Sequence, residues 1–172
     1  VLTAEIDLGR QGYSEEGGRS FYQPLLERVQ ALPGVESPSL AHKSPLSSQM
    51  GTVARPEGLA ENSPSTAVRY NIVTPRHLET IGLRLLRGRD FNAQDTAQAL
   101  GVAINNEALA HSLWGEQNPL GRALLAHTSR DVQRIEVIGV VNDARYGSVL
   151  RPPHLHLYLP VTQEYQSSMA LH

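Results

Sequence analysis

The fold is decided by one stretch, residues 102–125, which reads Val-Ala-Ile-Asn-Asn-Glu-Ala-Leu-Ala-His-Ser-Leu-Trp-Gly-Glu-Gln-Asn-Pro-Leu-Gly-Arg-Ala-Leu-Leu. Its first three residues are apolar and predict a buried strand. Asn105 or Asn106 would cap the following helix, because an asparagine side-chain oxygen accepts from an otherwise unpaired amide of the first turn. Gly115 suits the C-terminal cap, where a left-handed backbone is common. The stretch therefore predicts a strand followed directly by a capped helix.

The apolar face of this helix ends at Trp114. Leu109 and Leu113 are one helical turn apart, and Trp114 adjoins the face that they form. A tryptophan in this setting is more often a core residue than a platform for a ligand, and its replacement by alanine is expected to cost about 3 to 5 kcal/mol. Asn118-Pro119 then predicts a turn into a strand over residues 123–126.

The first forty residues predict a β-α-β unit. Apolar and polar residues alternate from Leu2 to Leu8, which is typical of a half-buried strand. Apolar residues follow helical spacing from Tyr22 to Leu32. Pro24 fits this helix only if the regular helix begins close to it or if its first turn is kinked. Pro33-Gly34 is expected to stop this helix, and Val35 to begin a second strand.

The middle of the chain is less regular. Residues 42–66 are rich in Ser, Pro, Gly and Asn and predict a long loop with a short strand near residues 52–55. Loops of this length are mobile or functional, so His42 to Thr66 is the candidate contact surface. A strand is expected over residues 68–73, and Thr74 is expected to cap a short helix that ends at Gly82.

The second half of the chain is rich in predicted strands. They cover residues 85–91, 133–141 and 155–159, with a hairpin turn near residues 129–131 and a bend at residues 149–153. In the last strand three leucines alternate onto one face, which places the intervening histidine on the outer face. The chain thus divides into two lobes, an N-terminal β-α-β lobe with a following strand and helix, and a strand-rich second lobe.

Composition excludes several classes of function. The 172 residues include 15 Lys and Arg, 17 Asp and Glu and no cysteine. The net charge of −2 favours neither nucleic acid nor an anionic membrane surface as a partner. The absence of cysteine rules out disulfides and thiolate metal sites. No run approaches the roughly 18 to 20 apolar residues of a membrane helix, and no signal peptide is evident, so composition alone describes a soluble cytosolic domain.

Two patterns could indicate a catalytic or metal site. His154 and His156 are two residues apart on a predicted strand, as metal ligands can be, but no acid or further histidine lies close enough in sequence to complete a set of four ligands. Asp143 follows a predicted strand and could act as a general base. An Asx-type turn or an ion pair with Arg145 is the better interpretation, because no nucleophile or second acid lies nearby in sequence.

Three further patterns are also better explained without chemistry. Arg87-Gly88-Arg89-Asp90 could grip an anion, but a solvated turn in which Asp90 offsets the arginines is favoured. Ser44 and Ser47-Ser48 lack the Gly-x-Ser-x-Gly elbow of serine hydrolases. Gly17-Gly18 is not followed by the Lys-Ser/Thr of a phosphate loop. We therefore expect no catalytic, cofactor-binding or metal-binding residues and no enzymatic activity.

The order and spacing of several motifs resemble one known family. Residues 106–121 contain Asn-Glu-Ala-Leu-Ala, Leu-Trp and Asn-Pro-Leu-Gly. Gly-Leu-Arg-Leu-Leu-Arg-Gly-Arg-Asp-Phe occupies residues 82–91, and Val-Ile-Gly-Val-Val-Asn-Asp-Ala-Arg-Tyr and Leu-Tyr-Leu-Pro lie within residues 137–160. Together they resemble the extracytoplasmic domain of MacB-like (FtsX-superfamily) ABC transporter permeases.

The resemblance implies a particular domain organisation. A porter-like α+β lobe, residues 1–84, would be interrupted by an inserted, mainly β lobe, residues 85–162. Residues 163–172 would start the return to the first lobe, which in the family holds a further strand-helix-strand, so the first lobe would be truncated here. An unpaired sheet edge would be prone to form a homodimer or to swap.

The resemblance also implies a function at the cell membrane, on its periplasmic or extracellular side. The domain would couple ATPase-driven conformational change to export or to contact with a partner, with no chemistry of its own. ATP would be bound only by a separate ATPase subunit or domain. The implied partners are the protein's own transmembrane helices, the ABC ATPase, and a periplasmic adaptor or a second permease copy. The alternatives are a stand-alone ligand-binding domain and, less favoured, a hydrolase.

Overall fold

A computed structural model describes residues 2–44, 47, 49–60, 62–128, 131–143 and 153–172. Three helices and ten strands are found in this part of the chain. In chain order they are β1 (Ala4–Asp7), α1 (Glu15–Gln30), β2 (Leu40–Ala41), β3 (Met50–Pro56), β4 (Thr66–Val73), α2 (His77–Thr80), β5 (Leu85–Gly88), β6 (Val102–Asn106), α3 (Glu107–Trp114), β7 (Ala123–His127), β8 (Val132–Val141), β9 (His156–Pro160) and β10 (Ser168–Leu171).

All the described strands belong to one connected sheet. Its order is β1-β10-β2-β4-β3-β7-β8-β6-β9, with β5 added at β8. A further parallel pairing joins β4 to β9, so that β4, β3, β7, β8, β6 and β9 form a closed ring of hydrogen-bonded neighbours. The strands β1, β10 and β2 continue the sheet from β4 as a flap outside this ring.

Two hydrophobic clusters lie on opposite faces of the ring strands. In β6, Ala103 belongs to the first cluster and Ile104 to the second, as the alternation of side chains along a strand requires. The first cluster also receives Leu109 of α3, which is fully buried. The second is formed where Leu78 and Phe91 pack on the other face of the sheet. Both faces of β6 are therefore buried, and each of its five residues is inaccessible to solvent.

The helix α1 begins earlier than its apolar pattern predicts. Ser14 is its N-cap, and the Ser14 Oγ accepts from the Gly17 amide at 3.2 Å. Gly17 and Gly18 therefore lie inside the helix rather than before it. Pro24 also lies in its interior, so the expectation that the regular helix starts near Pro24 is wrong. The reason is tertiary, because Gly18 is packed against Tyr165 from a distant part of the chain.

Two predicted boundaries near the flap are also wrong. No strand starts at Val35, since the chain reaches the sheet only at Leu40, where β2 is two residues long. Thr74 does not cap α2. Its hydroxyl instead accepts from the Leu40 amide at 2.8 Å, which fixes β2 to the end of β4. The four-residue α2 begins after Arg76, which has a left-handed backbone with φ of 65°.

The predicted long loop of residues 42–66 contains a full strand. β3 has seven residues, not four, and it is paired with β4 on one side and β7 on the other. The polar composition of this region hid β3, because its outward side chains are polar or small. The rest of residues 42–66 still forms connections on both sides of β3.

The strand and helix of the opening stretch fold as predicted. Asn106 is the N-cap of α3, and its Oδ1 accepts from the Leu109 amide at 3.2 Å. Gly115 is the C-cap, but with φ of 60° and ψ of −131° its backbone is not in the predicted left-handed conformation. The strands β7 and β8 form the predicted antiparallel hairpin, although residues 129 and 130 of its turn and most of the predicted bend at 149–153 lie outside the described residues.

The α+β class is confirmed by this arrangement of helices and strands. Strands from the predicted lobes pair with each other, as β3 does with β7 and β4 with β9. The strand β10 returns to lie between β1 and β2. The lobe boundaries at residues 84 and 162 stay a prediction. Among the described helices none is long and apolar enough to cross a membrane.

Candidate functional site

The segment between β9 and β10, residues 161–167, contacts most parts of the molecule and is called the junction segment here. The Val161 amide donates to the Val73 carbonyl at the end of β4 at 3.0 Å. The Gln163 Oε1 accepts from the Val102 amide at the start of β6 at 2.9 Å. The Ser167 carbonyl accepts from the Leu8 amide after β1 at 2.8 Å. This segment thus connects the flap to the ring.

The helix α1 is fastened to the junction segment through one side. Arg19 Nη1 donates to the Thr162 carbonyl at 2.6 Å, and its guanidinium lies 5.4 Å from the centre of the Tyr165 ring. Tyr22 is 3% exposed and its hydroxyl donates to the Gln166 carbonyl at 2.6 Å. Burial raises the pKa of Tyr22 well above its usual value, so this hydroxyl stays protonated and remains a donor.

The same segment also holds the loop of residues 92–100. Gln163 Nε2 donates to the carbonyls of Thr96 at 3.1 Å and Leu100 at 2.9 Å. Within this loop Asp95 is nearly buried and accepts two hydrogen bonds from the Arg89 guanidinium, at 2.7 and 2.8 Å. These bonds hold the pKa of Asp95 below its usual value, so the carboxylate stays ionised.

An open groove lies between α1 and this loop. Its volume is about 820 Å³. The buried part of its lining consists of Tyr22, Thr74 and Val161. The exposed part includes Gln23 and Gln98. The lining brings together no nucleophile, base and acid. The arrangement can bind an apolar surface or molecule, and an occupant would touch α1, the loop and the junction segment at the same time.

A buried serine–histidine pair lies beside the flap, and sequence analysis missed it. The Ser39 Oγ is 3.0 Å from His77 Nδ1, and the ring of His172 lies 5.3 Å from that of His77 in an edge-to-face arrangement. Ser39 and His77 have no solvent-exposed surface. Burial lowers the pKa of His77 to about 3, so the ring is neutral. The pair is closed to substrate and joins α2 to the chain before β2.

The predicted site residues do not come together. His156 was expected on an outer face but is 5% exposed and stacks on Tyr158 at 4.5 Å, because β9 is buried on both faces. Burial lowers the pKa of His156 to about 4. His154 is half-buried. In the part of the chain that the structure describes, no three His, Asp or Glu side chains are grouped so that they could hold a metal ion.

Asp143 has a structural role. Its Oδ1 accepts from Asn106 Nδ2 at 2.6 Å and from the Ala108 amide at 3.0 Å, which fixes the first turn of α3. These bonds go to α3 and not to the backbone just after Asp143, so the expected Asx-type turn stays a prediction, and Arg145, the alternative partner, lies outside the described residues.

The Arg87-Gly88-Arg89-Asp90 stretch is exposed from Arg87 to Arg89, as expected of a solvated turn. The guanidinium of Arg89 binds Asp95, a partner that the sequence analysis did not name. This bond raises the pKa of Arg89, and the charge of Asp90 also raises it. Asp90 also accepts from the backbone amides of Arg76 and Phe91. Gly88, with φ of 78°, turns the chain at the end of β5. Among the predicted serines, Ser47 is exposed and donates to the Ser44 carbonyl at 2.8 Å. Ser48 lies outside the described residues.

Solved structures share this fold. The periplasmic region of MacB from Actinobacillus actinomycetemcomitans superposes with a TM-score of 0.60 at 16% sequence identity, over 98% of this chain and 72% of that one. The extracellular domain of the noncanonical ABC-type transporter YknZ from Gram-positive bacteria gives a TM-score of 0.58 at 20% identity, over 99% of this chain and 83% of that one.

Sequence comparison gives the family. The macrolide export ATP-binding/permease protein MacB of Sodalis glossinidius is 28% identical over 160 residues, which are 90% of this chain and 23% of that protein. The chain thus spans less than a quarter of the length of this curated relative. The MacB-like periplasmic core domain family matches residues 4–171. The chain belongs to the MacB-like periplasmic core domain family.

Proposed function

We propose that residues 4–171 form the extracytoplasmic domain of an ABC transporter permease that couples ATPase-driven movement of membrane segments to export or to contact with a partner. The family match supports this proposal, and so does the name of the curated relative, an ATP-binding/permease protein. The domain would lie on the periplasmic or extracellular side of the cell membrane. Its partners would be the permease's transmembrane helices, the ABC ATPase, and an adaptor or second permease copy.

The observation that carries the proposal is the pairing of β1 with β10. Ala4 lies opposite Leu171 in this antiparallel pair, so the two limits of the family match are neighbours in space. Segments that continue from these limits in a longer protein would leave from one place. A movement of these segments would displace β1 and β10 together, because the two strands are hydrogen-bonded to each other.

The junction segment offers the path by which such movement would spread. It directly precedes β10, and it binds α1 through Arg19 and Tyr22 and the loop of residues 92–100 through Gln163. A displacement of β10 would therefore change the position of α1 relative to the ring. Coupling requires two arrangements whose populations a partner or ATP hydrolysis can bias, and the open groove lies where these elements meet.

In this proposal the domain performs no chemistry, and ATP is bound by a separate ATPase subunit or domain. The Ser39–His77 pair gives little support to a hydrolase, because both side chains are fully buried. A ligand-binding domain is the second candidate function. It is favoured by one observation, the groove of about 820 Å³ with its buried, largely apolar floor.

The proposal is tested in the full-length protein that carries residues 4–171. The double variant Arg19→Ala/Tyr22→Phe removes the side-chain bonds from α1 to the junction segment. Export is expected to fall while ATP hydrolysis continues, because the two become uncoupled. The matched control is Glu16→Ala/Arg28→Ala, which changes exposed side chains of the same helix that lie outside the lining of the groove.

The outcomes separate the candidate functions. Normal export per ATP hydrolysed in the Arg19→Ala/Tyr22→Phe variant, with α1 shown to be folded by circular dichroism, would contradict coupling through this path. The ligand-binding domain would be favoured if the isolated chain bound an apolar ligand and the Val161→Asp variant did not, because the aspartate places a negative charge at the floor of the groove.

A further inference from the structure

The face of the sheet that carries the second hydrophobic cluster is only partly covered by the described residues, and its exposed side chains form ordered rows. We call this exposed part the outer face and define it by the outward residues of β3 and β7 and of the adjoining parts of β4 and β8, residues 66–69 and 132–136. Val53 of β3 pairs with Ala67 of β4, and His127 of β7 pairs with Val132 of β8. Ala54 pairs with Ala126, so Val53 and His127 are neighbours in the next register position. One row therefore crosses the strands β4, β3, β7 and β8, and it consists of Ala67, Val53, His127 and Val132.

Exposure shows that this row faces solvent. Val53 is 39% exposed and Val132 46% exposed, whereas Ala54 and Ala126, on the opposite face of β3 and β7, are 0% and 1% exposed. The inner face is closed by the first hydrophobic cluster, to which α3 contributes Leu109. Two β-branched apolar side chains thus remain in water on a sheet surface.

Arginines flank the apolar row on both sides. On one side Leu125 lies between Arg55 and Arg134 of the neighbouring strands. On the other side Arg69 pairs with Gly51, whose missing side chain leaves open space beside it. Side chains on one face of a strand repeat about every 7 Å, so the arginine rows lie about 7 Å on either side of the apolar row.

Arginines outnumber acidic side chains on this face, where Arg55, Arg69 and Arg134 stand against Glu57 and, one row further along β8, Glu136. Arg134 is bound to Glu57 at 2.7 Å, and Arg55 donates to the Leu59 carbonyl at 2.9 Å. For Arg69, which is exposed, the described residues provide no acidic partner. The chain as a whole carries a net charge of −2, so the excess of arginine here is a local property.

We infer that the outer face docks an acidic amphipathic helix of a partner protein. The apolar row crosses four strands and is about 15 Å long, which is the length of about ten helical residues. A helix laid along this row would place its apolar stripe on Val53 and Val132. Acidic residues beside the stripe would meet Arg69 on one flank and Arg55 and Arg134 on the other, which also fixes the orientation of the helix.

The position of the outer face favours a protein over the membrane as its occupant. In the sheet order, β10, β2 and β4 separate β1 from β3. The proposed function, on which this step rests, directs β1 and β10 toward the membrane segments, so the outer face lies away from that edge. A protein partner outside the membrane can reach it.

The test is a titration of the isotope-labelled 172-residue chain, followed by NMR. The probe is a helical peptide of about 14 residues, with leucines repeating every three or four residues and glutamates on both flanks. Chemical shift changes are expected at Val53, Leu125, His127 and Val132. The same peptide with lysines in place of glutamates is expected not to bind, and binding of the glutamate peptide is expected to weaken with salt.

Matched variants check the role of the arginines. Arg69→Glu is expected to weaken binding at least about fivefold, since an attraction becomes a repulsion. Arg28→Glu changes an exposed arginine of α1, far from the outer face in sequence, and is expected to leave binding unchanged. Val53→Asp is expected to abolish binding, and Leu100→Asp, at a residue that is 70% exposed, to have no effect.

Several results would overturn the inference. With the peptides, these are no binding at millimolar concentration, binding of the lysine peptide as tight as that of the glutamate peptide, or shift changes confined to the groove beside α1. With the variants, it is a loss of affinity in Arg28→Glu as large as that in Arg69→Glu. Binding of anionic phosphatidylglycerol vesicles through the outer face would also overturn it. The titration uses the chain alone and no transport, so its failure would leave the coupling proposal standing, and a failure of coupling would leave this docking result intact.

Discussion

Gly18 of α1 lies directly against the hydroxyl of Tyr165. A β-carbon placed at Gly18 would come 1.9 Å from that oxygen and 2.7 Å from the ring carbon that bears it. This contact explains why a glycine occupies the interior of a helix, where it is otherwise unfavourable. It is one of the contacts between α1 and the junction segment.

Gly18→Ala is therefore expected to destabilise the protein by about 1 to 3 kcal/mol, because Tyr165 must move out of its place against α1. Gly17→Ala is the control, since a β-carbon there meets nothing closer than 3.4 Å. It should stabilise α1 by about 0.5 to 1 kcal/mol through helix propensity. Urea unfolding of both variants measures the difference, and an equal gain in both would show that the Tyr165 contact is unimportant.

The pair formed by Arg89 and Asp95 gives a second prediction. Asp95 has a side chain only 4% exposed, and that of Arg89 is 44% exposed. Arg89→Gln leaves a buried carboxylate without its cation and is expected to cost about 2 kcal/mol, less than for a fully buried pair because Arg89 reaches solvent. Arg87→Gln, two residues earlier on exposed β5, is expected to change stability by less than about 0.5 kcal/mol.

Thermal unfolding of the two arginine variants at neutral pH checks this ranking. Equal melting temperatures for Arg89→Gln and Arg87→Gln would mean that the Asp95 carboxylate does not depend on Arg89.

The buried His77 predicts a loss of stability in mild acid. Its pKa is lowered to about 3 in the folded protein, against about 6.5 in an unfolded chain. The unfolded state therefore binds more protons between these values, so the stability that neutral His77 contributes is complete above about pH 6.5 and declines as the pH falls toward 3. His156, with a pKa of about 4, acts in the same direction.

His77→Leu is expected to reduce the dependence of unfolding free energy on pH between about pH 7 and 4.5, a window above the usual titration of carboxylates. His111→Gln is the control, because the His111 side chain is 70% exposed. Urea unfolding at several pH values gives the slopes. A slope in His77→Leu as steep as that of the unaltered protein would contradict the assignment.

Trp114 gives a fourth prediction. It is packed against the first hydrophobic cluster but is only partly buried, unlike Leu109 of the same helix, which is fully buried. Trp114→Ala is therefore expected to cost about 2 kcal/mol, less than the 3 to 5 kcal/mol expected for a tryptophan enclosed in the core. Leu109→Ala should cost more than Trp114→Ala in the same thermal melt, and the reverse order would place the indole deeper than the structure does.

Elements with local causes were predictable from sequence. The strand β6, the helix α3 and its cap at Asn106 depend on residues within a few positions of one another, and their bounds match the prediction closely. The same holds for the hairpin of β7 and β8.

Elements with distant causes were not predictable. The start of α1 was misplaced because its glycines and Pro24 contradict helix propensity, and the packing that permits them involves Tyr165, far along the chain. The strand β3 was shortened because its ladder partners, β4 and β7, compensate for a weak apolar pattern. The bond from Arg89 to Asp95 was not predicted, because it depends on the path of the loop of residues 92–100.

By itself, then, the sequence determined the α+β class, the strand-helix unit around Asn106 and the resemblance to MacB-like domains, because caps, turns and apolar periodicity act between near neighbours in the chain. Tertiary structure alone decided that β4 and β9 close the ring, that β10 lies against β1, and that Tyr22 binds a carbonyl 144 residues away. The reason is that a hydrogen bond or a close contact between distant residues leaves no periodic trace in the sequence, and it forms only once the intervening chain has folded.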